Sequence, residues 1–206
     1  MLFRSVITVR SPIESLGQRR FVIAHELGHV LLHPDVAQFD QVDQWQTRNF
    51  NHNQKPEELE ANYFAAELLM PKQFFGLDAK GVEPSWDNIR ALAHRYSTTL
   101  TSTAIQLVHH SPEALILVVA FGEHRKWFVM GDKAEGFFVR EETYLHKYSC
   151  ARELISKDLL RSKGKVPAGA WLDHFDPDGK ESIVEDALRG WDGNVVMSLL
   201  WINEDI

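Results

Sequence analysis

The chain has 206 residues, of which 44% are hydrophobic and 25% are charged. This composition is typical of soluble globular proteins and excludes a wholly disordered or collagen-like chain. The formal net charge of -7 argues against a protein whose whole surface contacts nucleic-acid phosphates, although a local basic face remains compatible with it. The length suits one core with a smaller appended unit, or two modest domains.

The single cysteine, Cys150, bears on the compartment. With one thiol, neither an intramolecular disulfide nor a cysteine-rich zinc finger can form, so we expect a reducing cytoplasm. No stretch approaches the ~18 apolar residues that a membrane span needs. The apolar run between Arg4 and Arg10 is too short for a signal peptide. We therefore expect a soluble protein with no membrane partner.

The N-terminal region predicts a strand followed by a helix. The alternation over Leu2–Val9 is typical of a strand, which Pro12 ends because proline cannot donate to a sheet ladder. Ser15 and Gln18 have the spacing of a capping box, and apolar residues then recur with helical period. This first helix is expected to end near Pro34.

A polar segment between Pro34 and Lys55 separates the first helix from the second. It is longer than ordinary connections, a length typical of functional or mobile loops. Pro56 suits the first position of the second helix, because its missing N–H would be unpaired there in any case. The second helix is expected to stop at Pro71.

Two further helices are predicted after Pro84. Ser85 is the expected cap of the third, and the fourth runs from Thr101 to His109. Together they have the outline of a helix-turn-helix, but the fourth helix carries no Arg or Lys that would anchor a phosphate. A packing role is therefore favoured over DNA recognition.

After Pro112 the pattern changes to short strands. We predict strands at 115–121, 127–130, 137–139, 168–172 and 195–202, with a helix near 151–160. The sequence therefore predicts an α+β protein whose C-terminal domain is mixed α/β.

Residues 25–29 read His-Glu-Leu-Gly-His, the HExxH pattern. Residues four apart share a helix face, so His25 and His29 can point at one metal ion. Glu26 lies beside them, where it can hold a water on the ion and accept its proton. The pattern also occurs by chance in unrelated chains, but its place on a capped amphipathic helix favours a zinc peptidase.

A catalytic zinc ion takes three protein ligands and one open position, so a third ligand must lie elsewhere. His33 is two helical turns from His25, roughly 12 Å along a straight helix, too far to share the ion. Glu58 and Glu60 in the second helix both remain candidates. Glu58 is favoured because its helix face carries small residues and Asn62, which is suited to orient a ligating histidine.

Residues 20–33 (RFVIAHELGHVLLH) and 58–71 (ELEANYFAAELLMP) resemble the two signature blocks of the ImmA/IrrE family of metallopeptidases. The resemblance implies a zincin-like core in which His25, His29 and Glu58 bind Zn2+ and Glu26 is the base. It also implies regulated cleavage of a helix-turn-helix transcriptional repressor in a stress, phage or mobile-element response.

The resemblance also supports a division of the chain into three parts. Residues 1–80 form the peptidase core, 81–111 a helix-turn-helix-like segment, and 112–206 a C-terminal domain that is a candidate sensory or regulatory unit. A competing hypothesis is a non-enzymatic regulator, stabilised by zinc, that binds a repressor or nucleic acid. Glu26 argues against it, because a purely structural zinc site needs no base beside the ion.

Other candidate residues follow from the chemistry of peptide hydrolysis. A donor should stabilise the oxyanion, and Tyr63, His94 and Tyr96 are candidates, although each type of residue is more often a packing residue. The thiolate of Cys150 is a hypothetical inhibitory ligand that fills the open zinc position, with a small buried hydrophobe as the favoured alternative.

The segment from 147 to 165 is locally basic. A solvated surface is the favoured interpretation. The alternative is a site for single-stranded DNA that activates the peptidase, carried by Lys147, Arg152, Lys157 and Arg161.

Overall fold

The computed structural model describes residues 7, 13, 15–34, 55–190 and 192–203. The strand predicted over Leu2–Val9 lies outside these residues apart from Ile7, as does most of the polar segment between Pro34 and Lys55. None of the described helices is long and apolar enough to cross a bilayer.

The two N-terminal helices lie against each other. Helix α1 spans Leu16–Leu32, and its first turn is capped by Ser15, whose hydroxyl accepts the Gln18 backbone N–H at 3.4 Å. Helix α2 spans Pro56–Leu69 and begins on its proline. Both helices and the serine cap are thus as predicted. The two helices pack through small residues, because large side chains would separate the two backbones.

Gly28 is the point of closest approach between α1 and α2. A Cβ added there would lie 3.1 Å from the Cα of Ala61 and 3.2 Å from Cδ1 of Phe64. Around Gly76, in contrast, an added Cβ would meet no atom within 4 Å. The two glycines therefore offer a matched pair, since both are inside helices and only one is crowded.

We expect Gly28→Ala to be less stable than Gly76→Ala by roughly 1–3 kcal/mol in free energy of unfolding, the usual cost of overpacking. Alanine gains helix propensity at both positions, so this gain cancels in the comparison. Urea unfolding of the two variants and the parent chain measures the difference. Equal stabilisation by both substitutions would show that α1 and α2 do not pack as closely as described.

Three helices follow: α3 (Lys72–Lys80), α4 (Trp86–Tyr96) and α5 (Leu100–His110). The predictions for α4 and α5 are confirmed, with Ser85 and Thr99 as their N-caps. Helix α3 was not predicted. It buries Phe75 and Ala79. It was missed because Gly76 and Gly81 interrupt the helical pattern in the sequence.

Within the described residues, five antiparallel strands form one sheet in the order β2-β1-β5-β4-β3. They are β1 (Ala114–Phe121), β2 (His124–Met130), β3 (Arg161–Pro167), β4 (Ser182–Arg189) and β5 (Val195–Ile202). The α+β prediction is confirmed, as are β1, β5 and the C-terminal part of β2.

The two faces of the sheet carry separate apolar clusters, because alternate strand residues point to opposite sides. On one face Leu115 and Leu117 pack with Trp86 and Leu107 of the helical segment. On the other face Ile116 packs with helix α6, which spans Cys150–Ser156. Helices α4 and α5 thus share a core with the sheet, and this core crosses the predicted boundary at 111/112.

Several predictions for the C-terminal part are wrong. Residues 168–170 form a short 3-10 helix instead of a strand, and Val139 makes only an isolated bridge with Leu172. Helix α6 ends at Ser156, where Asp158 turns the backbone with a φ of 51°. Strands β3 and β4 were missed.

Candidate metal centre

The structure brings together the side chains of His25, His29 and Glu58. The Nε2 atoms of the two histidines are 3.0 Å apart. The Glu58 carboxylate lies 3.3 Å from Nε2 of His25 and 3.4 Å from Nε2 of His29. Ligand atoms of all three residues lie within 4.8 Å of one another. Two imidazoles and one carboxylate therefore converge on one point.

Asn62 determines which nitrogen of His25 faces that point. Its amide oxygen lies 2.9 Å from His25 Nδ1 and accepts the proton there. The Nε2 lone pair of His25 is then directed toward His29 and Glu58. Burial lowers the pKa of His25, and the nearby His29 lowers it further, against the opposing effects of Glu58 and Asn62. The neutral imidazole is the form that binds metal.

This donor set fits a zinc ion. Two buried imidazole nitrogens 3.0 Å apart repel each other unless a proton or a cation lies between them. The carboxylate beside them adds negative charge at the same place. Two histidines and one glutamate are also a known ligand set of catalytic zinc, with a fourth position left open.

Glu26 follows His25 directly on α1 and is partly buried. Burial raises the pKa of Glu26, His29 lowers it, and the Glu58 carboxylate raises it again, with a net upward shift. A carboxylate shifted in this direction exchanges protons more readily near neutral pH. Its position and its shifted pKa both suit a proton acceptor.

Glu60 occupies a different position from Glu58. Its carboxylate lies 3.3 Å from Nε2 of His33, and its side chain is 60% exposed, compared with 18% for Glu58. Among the residues that the structure describes, His25, His29 and Glu58 are the only group of three with metal-binding geometry. The geometry therefore favours Glu58 over Glu60 and separates His33 from the metal centre.

The three candidate oxyanion donors differ in their surroundings. The Tyr96 hydroxyl donates to Asp78 Oδ2 at 2.6 Å, and burial together with this bond raises the pKa of Tyr96 to about 12. Tyr63 is exposed on α2, next to Asn62, and His94 is exposed on α4. Within the described part of the chain, no hydrogen bond joins any of the three to the ligand residues. Tyr63 is the candidate on the ligand-bearing helix pair.

Cys150 lies in the apolar cluster between the sheet and α6. Burial raises the pKa of its thiol to about 12, so the thiolate that zinc binds does not form near neutral pH. This placement favours the interpretation of Cys150 as a small buried hydrophobe.

The basic segment is largely compensated by carboxylates. Arg152 pairs with Glu123, Lys157 with Glu153 at 2.7 Å, and Arg161 with Asp87 and Asp186, each at 2.7 Å. The Lys147 ammonium lies over the Tyr148 ring, 4.6 Å from its centroid. A charge already paired with a carboxylate contributes little to phosphate binding, so this arrangement disfavours the DNA hypothesis.

Helices α1 and α2 bring together His25, His29 and Glu58, with Glu26 directly after His25, an arrangement typical of metallopeptidase-type proteins. Residues 4–107 match the model of the IrrE N-terminal-like domain, peptidase family M78. The chain belongs to this family.

One solved structure with a similar fold is a Mycobacterium tuberculosis transcriptional regulator, with a TM-score of 0.56 and 18% sequence identity. The match covers 90% of this chain but 56% of that one, so this chain spans little more than half the length of the regulator. At this identity the likeness concerns the fold alone. No curated protein matches the chain.

Proposed function

We propose that this protein is a zinc-dependent metalloendopeptidase. The observation that carries the proposal is the convergence of His25, His29 and Glu58 within 4.8 Å, with Glu26 beside the first ligand. The family points to the same class of reaction. A purely structural zinc site would have no use for the glutamate next to the ion.

In the proposed mechanism each residue has a defined role. His25, His29 and Glu58 would hold the ion, which when bound supplies Lewis acidity to water and to the substrate carbonyl. Glu26 accepts a proton from the attacking water while the water oxygen bonds to the carbonyl carbon. The same carboxyl then gives the proton to the leaving amine when the peptide C–N bond breaks. Asn62 keeps the proton of His25 on Nδ1.

The proposed substrate is a helix-turn-helix transcriptional repressor in the cytoplasm, cleaved in a stress, phage or mobile-element response. The resemblance of residues 20–33 and 58–71 to the signature blocks of the ImmA/IrrE family supports this choice. Activation by single-stranded DNA has less support, because Arg152, Lys157 and Arg161 are paired with carboxylates.

The proposal is tested by metal analysis of the purified chain and by co-expression with a candidate helix-turn-helix repressor. We expect stoichiometric zinc and a repressor fragment that disappears when the metal is removed with EDTA and returns when zinc is restored. Absence of zinc would contradict the metal centre. Stoichiometric zinc without cleavage would favour the regulator in which zinc has a structural role.

A further inference from the structure

The relative direction of α1 and α2 determines on which side the metal centre opens. His25 contacts Asn62, whereas His29, one turn later on α1, contacts Glu58, one turn earlier on α2. The two helices are therefore antiparallel. Each step along a chain turns the residue by about 100° round its helix axis. In two antiparallel helices that face each other, these turns lead to the same side of the pair.

Three rows of residues follow one another in this direction. The first row makes the contact between the two backbones, at Gly28 and Ala61. The second row carries the proposed metal ligands and Asn62. The third row follows the second by one residue and lies on its outer side; it consists of Glu26 and Val30 on α1 and Leu59 and Tyr63 on α2.

The third row faces solvent. His25 and Asn62 of the second row are 0% and 2% exposed, whereas Leu59 is 41% and Tyr63 is 69% exposed. Glu26, the proposed base, belongs to the third row and is partly buried. A general base must reach the water that attacks the substrate. The substrate therefore approaches the metal centre across this row.

The α2 part of the third row is apolar. Leu59 and Tyr63 are four residues apart, so their side chains are neighbours on one face of the helix. An exposed leucine beside an exposed tyrosine gains free energy when an apolar group covers both. A charged group in the same place would lose water, and neither residue offers it an opposite charge. The opening thus favours apolar side chains over charged ones.

We propose that Leu59 and Tyr63 hold an apolar side chain of the substrate, from a residue directly beside the scissile peptide bond. This inference rests on the proposed peptidase function and narrows its substrate class to chains that are cut next to leucine, isoleucine, methionine or phenylalanine. Leu59 directly follows the proposed ligand Glu58, so it has the larger share in this selectivity. Its role is to determine specificity, whereas proton transfer belongs to Glu26.

Digestion of synthetic peptides of random sequence by the zinc-loaded full chain tests the proposal. Mass spectrometry of the products identifies the two residues on either side of each cut bond. We expect apolar residues at one of these positions to exceed aspartate, lysine and glycine by about 10-fold, the lower end of the discrimination that apolar contacts give.

Substitution of Leu59 should change the residues found beside the cut bond. Leu59→Ala should lower the apolar preference several-fold, and Leu59→Lys should turn it toward aspartate and glutamate at the same position. The matched control is Leu68→Ala, because Leu68 is a 50% exposed leucine of the same helix outside the third row. It should keep the parent preference. A merely structural role of Leu59 would slow the cleavage of all bonds alike and leave the preference unchanged.

Binding without cleavage gives a second measurement. Fluorescence anisotropy follows a fluorescein-labelled copy of the best-cut peptide as it binds the Glu26→Gln variant with zinc. Its Kd should rise several-fold when Leu59→Ala is added to this variant. It should stay the same when Leu68→Ala is added.

The two proposals fail in different ways. If the zinc-loaded chain cuts no peptide, the peptidase function is rejected, and the role of Leu59 with it. If it cuts peptides without an apolar preference, only the role of Leu59 and Tyr63 is rejected. A preference and a Kd that Leu59→Ala leaves unchanged would have the same meaning, and the peptidase function would stand.

Discussion

Glu26→Gln is expected to lower the rate of peptide hydrolysis by about 100- to 10,000-fold, the usual contribution of a general base. Glutamine has nearly the same shape but cannot accept the proton of the attacking water. His25, His29 and Glu58 are unchanged, so the variant should keep its zinc. The measurements are the cleavage rate of the repressor and the zinc content of the same preparation.

Glu57→Gln is the matched control for this experiment. It removes one carboxylate from the first turn of α2, directly before Glu58, and leaves the proposed metal ligands and the proposed base unchanged. We expect it to cleave at the parent rate. Full activity in Glu26→Gln would reject the assignment of the base, and loss of zinc from that variant would assign Glu26 to binding of the ion instead of proton transfer.

The helices were predictable where periodicity and a cap agreed. Ser15 and Ser85, the two serine caps predicted from the sequence, each accept a backbone N–H from three residues ahead. Thr99 does the same for α5, although this cap was not predicted. These signals lie within a few residues of one another, so they can be recognised in the sequence without knowledge of the fold. The same locality holds for His25 and His29, which share a helix face.

Strand β4 was missed because its buried face includes charges. Glu185 is fully buried, and its carboxylate accepts the backbone N–H groups of Cys150 and Ala151, the Trp171 indole N–H and the Ser198 hydroxyl. All four donors are distant in sequence. Two adjacent acidic residues such as Glu185 and Asp186 normally indicate an exposed segment. Only the folded structure shows that their carboxylates are buried with hydrogen-bond partners.

Strand β3 was missed for a different reason. Its residues, with Lys163, Gly164 and Lys165 at the centre, read as a basic surface loop. The strand is at the edge of the sheet, where charged side chains hinder pairing with other chains. The charges are thus compatible with a strand at this place and would not be compatible with one at the centre of the sheet.

The sequence narrowed the proposed third metal ligand to Glu58 and Glu60 but could not decide between them. Glu58 and Glu60 both lie in the first turns of α2, and both belong to the block 58–71 that resembles the family signature. The choice depends on the register of α2 against α1, which is a tertiary property. Contact between Gly28 and Ala61 fixes that register and brings Glu58 level with His25 and His29.

The register of α2 against α1 predicts different outcomes for Glu58→Gln and Glu60→Gln, although both substitutions remove the same charge. Glu58→Gln should weaken zinc binding by more than the ~10–100-fold loss typical of changes to residues that only support a ligand. Glu60→Gln should leave the affinity nearly unchanged, because its carboxylate contacts His33 instead of the proposed ligands. Competition with a chelator of known affinity measures both.

Each variant removes one negative charge from α2, so any long-range effect of charge on zinc affinity is similar in the two. The difference between them therefore reports direct coordination. Zinc loss in Glu60→Gln with retention in Glu58→Gln would mean that α2 is shifted against α1 when the ion is bound. Equal loss in both would mean that neighbouring charge, and not coordination by Glu58, controls the affinity.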